Sequence, residues 1–239
     1  MAATTKREKF EPQTLIMRVV AGIVYRMGEL LVRRQPLPEH SLPTKAGFIV
    51  ALNHLSAADP PVVGAYIYDA GWFPRFMAKA ELFNIWPVGP LLRAVGQIPV
   101  QRRSAQAAQA LNSAASAIAA GRCVVIFPEG TTSKTEDMWP MSMKSGAVRL
   151  ALTTGAPLIP AAVWGTAHAL PWRPWRRPRA AMLFGEPLDL SAYVGRHADS
   201  SALREATELL RGQVAVLLGE LRGEPVPAQY LSGAGGDSQ

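Results

Sequence analysis

Cys123-Val124-Val125-Ile126-Phe127-Pro128-Glu129-Gly130-Thr131-Thr132-Ser133-Lys134 is the stretch on which the fold class turns. It opens with five apolar residues in a row and then meets a proline and a glycine. A short apolar run bounded by turn residues reads as a strand buried on both faces. Pro128 has no N–H for a ladder and stops the strand. Gly130 frees the backbone for a tight turn. Successive N–H groups and hydroxyls there can cradle an anion, with Lys134 adding positive charge. An ordinary polar turn has the same composition, and the spacing is not that of a nucleotide-binding loop.

Outward from this strand, the chain alternates. Downstream, Ser145 to Thr154 reads as a helix ending at Gly155. Leu158 to Val163 and Ala180 to Phe184 read as strands, and Ala202 to Leu221 as an amphipathic helix. Upstream, Ser104 is a fair N-cap for an Ala-rich helix that ends at Gly121. Gln97 to Val100 and Arg75 to Lys79 are short strands. Gly47 to Leu52 is a buried strand that ends at Asn53-His54, and Pro60-Pro61 suit a helix start. Strands alternating with helices predict an α/β fold, a central mixed but mostly parallel sheet covered by helices.

The first part of the chain needs separate treatment. Residues 1–12 are polar. From Leu15 to Val32 the sequence is apolar, but Arg18, Arg26 and Glu29 interrupt it. A spanning helix and a signal peptide both want an unbroken apolar centre, so neither fits. Leu15, Val19, Ile23, Met27, Leu30 and Leu31 recur at helical spacing, with Arg18, Arg26, Arg33 and Arg34 around them. Such a helix lies in a membrane interface or packs on its own domain. The expected organisation is an N-terminal amphipathic, membrane-interface helical segment (1–36), an α/β domain (37–224) and a flexible tail rich in Gly and Ser (225–239).

With 239 residues, 49% of them hydrophobic, the chain has material for one large packed domain and is not a disordered protein. A net charge of +7 points to anionic partners: acidic lipid, phosphorylated substrates or nucleic acid. No zinc-finger or RNA-binding signature accompanies the charge, so nucleic acid is not an expected partner. Cys123 is the single cysteine, which excludes an intrachain disulfide and a Cys-rich zinc site. Lying inside a strand, it reads as core and not as a nucleophile.

Two further constellations carry chemistry. Asn53-His54-Leu55-Ser56-Ala57-Ala58-Asp59 follows a buried strand. A loop turning into a helix can bring Asp59 to His54, where a carboxylate orients the imidazole and helps it act as a general base. Equally, Asp59 can be the N-cap of the helix at Pro60-Pro61, and His54 a satisfied loop histidine. Gly96-Gln97-Ile98-Pro99-Val100-Gln101-Arg102-Arg103 ends a short strand in two arginines, suited to phosphate or simply solvated. His40, His168 and His197 have no neighbours of the required kind and read as structural or exposed.

An His-x4-Asp loop, then Gly-x-Ile-x-Val-x-Arg, then Phe-Pro-Glu-Gly-Thr, then the Pro-containing strand Leu158 to Val163 resembles, in that order, the glycerolipid acyltransferase family. Its best-known members are the 1-acylglycerol-3-phosphate (lysophosphatidic acid) acyltransferases. The likeness spans about residues 47–166, and Lys144-Ser145-Gly146-Ala147 fits the same pattern. It implies transfer of a fatty acyl chain from acyl-coenzyme A or acyl carrier protein to a hydroxyl of a phosphate-bearing lipid. His54 would be the general base and Asp59 its orienting partner. Asn53, Arg102, Glu129, Gly130 and Thr131 would bind substrate. The resemblance expects an arginine where Thr132 stands, so a phosphate contact is lost or moves to Lys134 or Lys144, which leaves the identity of the acceptor open. Neither a cofactor nor a metal is implied; the donor thioester is a substrate. The implied location is the cytoplasmic face of a membrane, as a peripheral or monotopic protein. Trp172-Arg173-Pro174-Trp175-Arg176-Arg177-Pro178-Arg179 suits an anionic lipid surface or an acidic carrier protein. The competing classes are an acyltransferase for another acceptor (glycerol 3-phosphate, another lysophospholipid, a glycolipid), a non-catalytic basic binding protein, and a metal-dependent hydrolase using His54 and Asp59.

Overall fold

The computed structural model describes residues 10–38, 42–101, 105–169 and 177–231. Among these, the strands are β1 (Arg33–Arg34), β2 (Phe48–Leu52), β3 (Arg75–Lys79), β4 (Ile98–Val100), β5 (Cys123–Ile126), β6 (Leu158–Trp164) and β7 (Arg179–Phe184). They form one sheet in the order β1-β7-β6-β2-β5-β3-β4. β6, β2, β5, β3 and β4 run parallel to one another, β7 runs antiparallel to β6, and β1 parallel to β7. The expected mostly parallel sheet is therefore present. Its five parallel strands end along a common rim, where connecting loops converge.

The helices are α1 (Leu15–Leu31), α2 (Asp59–Asp69), α3 (Val88–Ala94), α4 (Ala105–Ala119), α5 (Gly146–Thr154) and α6 (Ser200–Arg222). Central β2 shows why they take two sides. Successive side chains of a strand point to opposite faces. Phe48, Val50 and Leu52 enter one core with Val62, Val63, Tyr66 and Ile67 of α2. Ile49 and Ala51 enter a second core with residues of α4, α5 and α6. All five β2 residues are fully buried, each larger one contributing about 1.5–3 kcal/mol of burial before chain entropy is charged against it. α1 lies on α2, and its Gly28 faces the Pro61 carbonyl and Ala65 at close range. Arg34 binds Glu29 and Asp69, at 2.8 Å each, and so ties the end of α1 to the end of α2.

Local sequence explains the helix ends. Asp199 caps α6 by accepting from the N–H groups of Ser201 and Ala202. Gly155 and Gly223 close α5 and α6 in the left-handed conformation. The cap expected at Ser104 lies outside the described residues. β1, α3 and a 3-10 segment at Ala80–Asn84 are additions to the sequence reading. The tail boundary also moves. Tyr230 is buried against Trp139, donates to the Pro140 carbonyl at 3.1 Å, and lies in one core with Leu218 and neighbouring Val226. Packed structure thus continues to Leu231 and not only to 224, because two apolar anchors outweigh the proline- and glycine-rich composition around them.

Candidate active site

β2 and β5 are adjacent and parallel, so the loops that leave their C-terminal ends meet. From β2 comes Asn53 to Asp59; from β5 comes Phe127 to Lys134. Asp59 is the first residue of α2, with Ala58 in the capping position. Its carboxylate points back along the loop instead of capping the helix. Asp59 Oδ2 lies 2.7 Å from His54 Nδ1 and accepts from the N–H groups of Leu55 at 2.6 Å and Ser56 at 2.9 Å. Asp59 is fully buried, while the His54 side chain keeps 17% exposure. The carboxylate is therefore fixed from three directions, and the imidazole is the part of the pair that solvent and substrate can reach.

The β5 loop grips the same histidine. Glu129 Oε1 accepts from the His54 N–H at 3.0 Å, and the His54 carbonyl accepts from the Ser133 N–H at 2.6 Å. The Phe127 ring stacks on the imidazole, 4.2 Å between centroids and 22° from parallel. Ser56 Oγ donates to the Thr166 carbonyl at 2.9 Å, which pins the middle of the His54 loop to the end of β6. Ring orientation is thus set by Asp59 and Phe127, and backbone position by Glu129 and Ser133. Burial raises the Glu129 carboxyl to about 7, against the opposing pull of N–H donation from His54 and Met141. Its second oxygen has no partner within hydrogen-bond reach.

A cavity of about 760 Å3 opens beside His54. Phe76, Met77, Leu82, Leu111, Ile126 and Phe127 supply much of its wall, so it is chiefly apolar. Cations also reach it: Lys79 at the end of β3, Lys144, and Arg149 on α5. Lys144 runs across the β5 turn, donating its N–H to the Pro128 carbonyl at 2.9 Å. A Cβ on Gly130 would lie 3.1 Å from Lys144 Nζ, and Gly130 has φ +70°. The left-handed conformation favours glycine there, and the lysine passes close over it.

The expected site residues divide accordingly. His54, Asp59, Glu129, Gly130 and Lys144 come together. Thr131 and Thr132 are half-buried on the same turn. Lys134 is exposed and does not line the cavity. Arg102 lies outside the described residues. Asn53 is a correction: it was expected to touch substrate, but its amide donates to the Val163 carbonyl at 3.0 Å and accepts from the Val163 N–H at 2.9 Å. Fully buried, it extends the β2–β6 pairing by one step and positions the loop. Burial pushes the Cys123 thiol far above its ordinary range, so it stays protonated in the core. His168 and His197 are exposed. Sequence reasoning missed Lys79 and Arg149; each is a lone basic residue, and only the sheet order brings them to one cavity. Among the described residues, no group of three His, Cys, Asp or Glu forms a metal-binding cluster, and no helix is long and apolar enough to cross a membrane.

Comparison with known proteins points the same way as the geometry. A family model described as Acyltransferase matches residues 37–164. A 1-acyl-sn-glycerol-3-phosphate acyltransferase of Bacillus subtilis is 30% identical over 77% of this chain and 87% of its own length. A lyso-ornithine lipid O-acyltransferase of Pseudomonas aeruginosa is 28% identical over 76% of this chain and 60% of its own. Among solved structures, the 1-acyl-sn-glycerophosphate (LPA) acyltransferase PlsC of Thermotoga maritima superposes with a TM-score of 0.61 at 25% identity, covering 88% of this chain and 83% of that one.

Proposed function

Since the chain belongs to the acyltransferase family, we propose that it moves a fatty acyl chain from acyl-coenzyme A or an acyl carrier protein to the free hydroxyl of lysophosphatidic acid, giving phosphatidic acid at a membrane surface. One observation carries the mechanism: His54 Nδ1 lies 2.7 Å from Asp59 Oδ2 beside a largely apolar cavity. With Nδ1–H donated to Asp59, Nε2 keeps its lone pair. It accepts the proton of the acceptor hydroxyl as that oxygen attacks the thioester carbonyl carbon. The C–S bond then breaks, and the leaving thiolate takes the proton back from the imidazolium. Asp59 holds the tautomer and stabilises the transient positive ring. Positioned base catalysis of this kind contributes about 10²–10⁴ in rate.

The cavity volume falls within the ~300–1,000 Å3 of small-ligand sites, and its apolar wall suits a hydrocarbon chain. Lys144 supports the acceptor assignment. It lies over the Gly130 turn and lines the cavity, which makes it a better replacement than Lys134 for the arginine missing at Thr132. The outer face of α1 supports work at a membrane. Leu15, Val19, Ile23, Met27 and Leu30 are 46–70% exposed, while Met17, Val20 and Ala21 face the protein. Arg177, at the described end of the Trp- and Arg-rich stretch, donates to the Glu29 carbonyl on the same helix at 2.6 Å; residues 170–176 lie outside the described residues.

A second reading concerns the acceptor alone. Thr132 in place of arginine, together with a relative named for lyso-ornithine lipid, favours a headgroup without phosphate. Both readings are tested by presenting a labelled palmitoyl thioester with either lysophosphatidic acid or lyso-ornithine lipid in mixed micelles, to the wild type and to His54→Ala. Product from lysophosphatidic acid that disappears in the variant is the expected result. Product from lyso-ornithine lipid alone selects the second acceptor. Equal product from both proteins removes His54 as the base, and loss of activity on chelation would point to a metal-dependent reaction.

A further inference from the structure

We propose that the crossover between β3 and β4 is a lipid-inserting wedge that joins the cavity mouth to the bilayer, with Trp86 at its tip. This rests on the membrane reading above and adds a second contact, separate from α1.

The crossover leaves β3 at the rim where the His54 and Glu129 loops also emerge, because β3 is parallel to β5 and β5 to β2. It runs through the 3-10 segment Ala80–Asn84 and α3 to β4. Its apolar residues fall into two groups. Phe83, Gly89 and Val95 are buried and anchor it; a Cβ on Gly89 would overlap the Phe83 backbone. Leu82, Ile85, Trp86, Val88 and Leu91 are 38–83% exposed, Trp86 most of all. Scattered exposed apolar residues are ordinary, but five large ones from ten consecutive positions form a patch that water solvates poorly.

Three features identify a bilayer as the occupant. Leu82 is at once an exposed residue of this patch and part of the cavity wall, with Leu92 behind it. An acyl chain moving from lipid to cavity along this side would meet Leu82 at both ends of that step. The crossover is also braced on α1, since Val95 lies in one buried cluster with Met17, Val20 and Ala21, the inner face of the helix whose outer face is exposed. Finally, exposed Arg93 lies beside the patch, and exposed Arg18 and Arg26 lie on α1, which complements anionic headgroups; Lys79, at the other end, is paired with Glu81 at 3.8 Å. An exposed tryptophan ringed by aliphatic and basic residues matches the chemistry of the headgroup–acyl boundary.

The test uses the full chain and vesicles of phosphatidylcholine with phosphatidylglycerol. Brominated acyl chains quench a tryptophan that enters the bilayer, so their quenching of wild type is compared with that of Trp86→Phe. The double variant Ile85→Ser/Trp86→Ser is then assayed for vesicle binding and for acyl transfer, with the acceptor either in vesicles or as a short-chain monomer. Trp86 fluorescence is expected to be quenched. Vesicle binding and vesicle-presented turnover should each fall about tenfold in the double variant, while monomer turnover stays at the wild-type level. Full vesicle binding by the double variant, with binding lost instead in Val19→Ser/Ile23→Ser, overturns the wedge and leaves the membrane reading intact. Wild type that does not bind vesicles overturns both. An unquenched Trp86 overturns the wedge whatever the binding shows.

Discussion

One oxygen, Asp59 Oδ2, serves three donors, and that sharing sets what each site residue can do. The backbone N–H groups of Leu55 and Ser56 hold the carboxylate still, so its remaining freedom goes to orienting His54. Glu129 does a different job. Its raised carboxyl, about 7 against 4.5, makes the folded protein hold a proton that the unfolded chain gives up. Stability from this group is present below the unfolded value and is lost as pH rises through the folded one. The loss across that window is about 3 kcal/mol. Glu129→Gln keeps an acceptor for the His54 N–H but cannot ionise. Urea unfolding at about pH 5 and about pH 8 should therefore show the wild type losing roughly 2–3 kcal/mol more than the variant; parallel losses would mean that Glu129 titrates normally. Lys144 gives a kinetic prediction. Lys144→Met should raise KM for a phosphate-bearing acceptor about tenfold, the worth of one charge-assisted contact, with kcat within about twofold. Steady-state kinetics with lysophosphatidic acid decides it, and an unchanged KM would shift attention to Arg149 or Lys79. At this scale much was legible. His54, Asp59 and Glu129 sit in spaced motifs beside strands. Asn53 misled because a motif position says nothing about where a side chain's hydrogen bonds go, and here both went to Val163.

At the scale of elements, the strands were the easiest to read. β2 and β5 are continuous apolar runs because both faces are covered, and their ends were marked by Asn53-His54 and by Pro128. The β3–β4 crossover was not legible. Leu82, Ile85, Val88 and Leu91 recur every third residue, but Pro87 and Pro90 interrupt the run, and their exposure depends on Phe83 and Gly89 anchoring the segment. In α1 the periodicity gave the helix and its outer apolar face but not the inner one, since a helix apolar on two sides shows no single stripe. The joint between β2 and α4 offers a test of element packing. A Cβ on Gly47 would overlap the Ile118 carbonyl near the end of α4. Backbone cannot yield as a side-chain tip can, so Gly47→Ala should destabilise the fold by roughly 1–3 kcal/mol. A denaturant midpoint within error of wild type would show that β2 and α4 can separate at that corner without cost.

For the molecule as a whole, charge and apolar surface act together. The net charge is +7, and exposed Arg18, Arg26 and Arg93 belong to α1 and the β3–β4 crossover, two elements that carry exposed apolar residues. If these surfaces meet a membrane, binding has two components with different salt responses. Each basic side chain near an anionic surface contributes about 1 kcal/mol, and screening shortens its reach from about 10 Å at 0.1 M salt to about 3 Å at 1 M. The apolar component does not weaken with salt. Partition onto phosphatidylglycerol-containing vesicles should therefore fall about tenfold between roughly 0.05 and 0.5 M potassium chloride, then level off above zero. On pure phosphatidylcholine the same change should do little. Vesicle sedimentation measures both series directly. A partition that drops to nothing at high salt would mean that the apolar faces of α1 and the crossover never enter the bilayer and that charge alone holds the protein there. Equal partition onto neutral and anionic vesicles at low salt would mean the reverse, leaving the basic residues to the phosphates of the substrates.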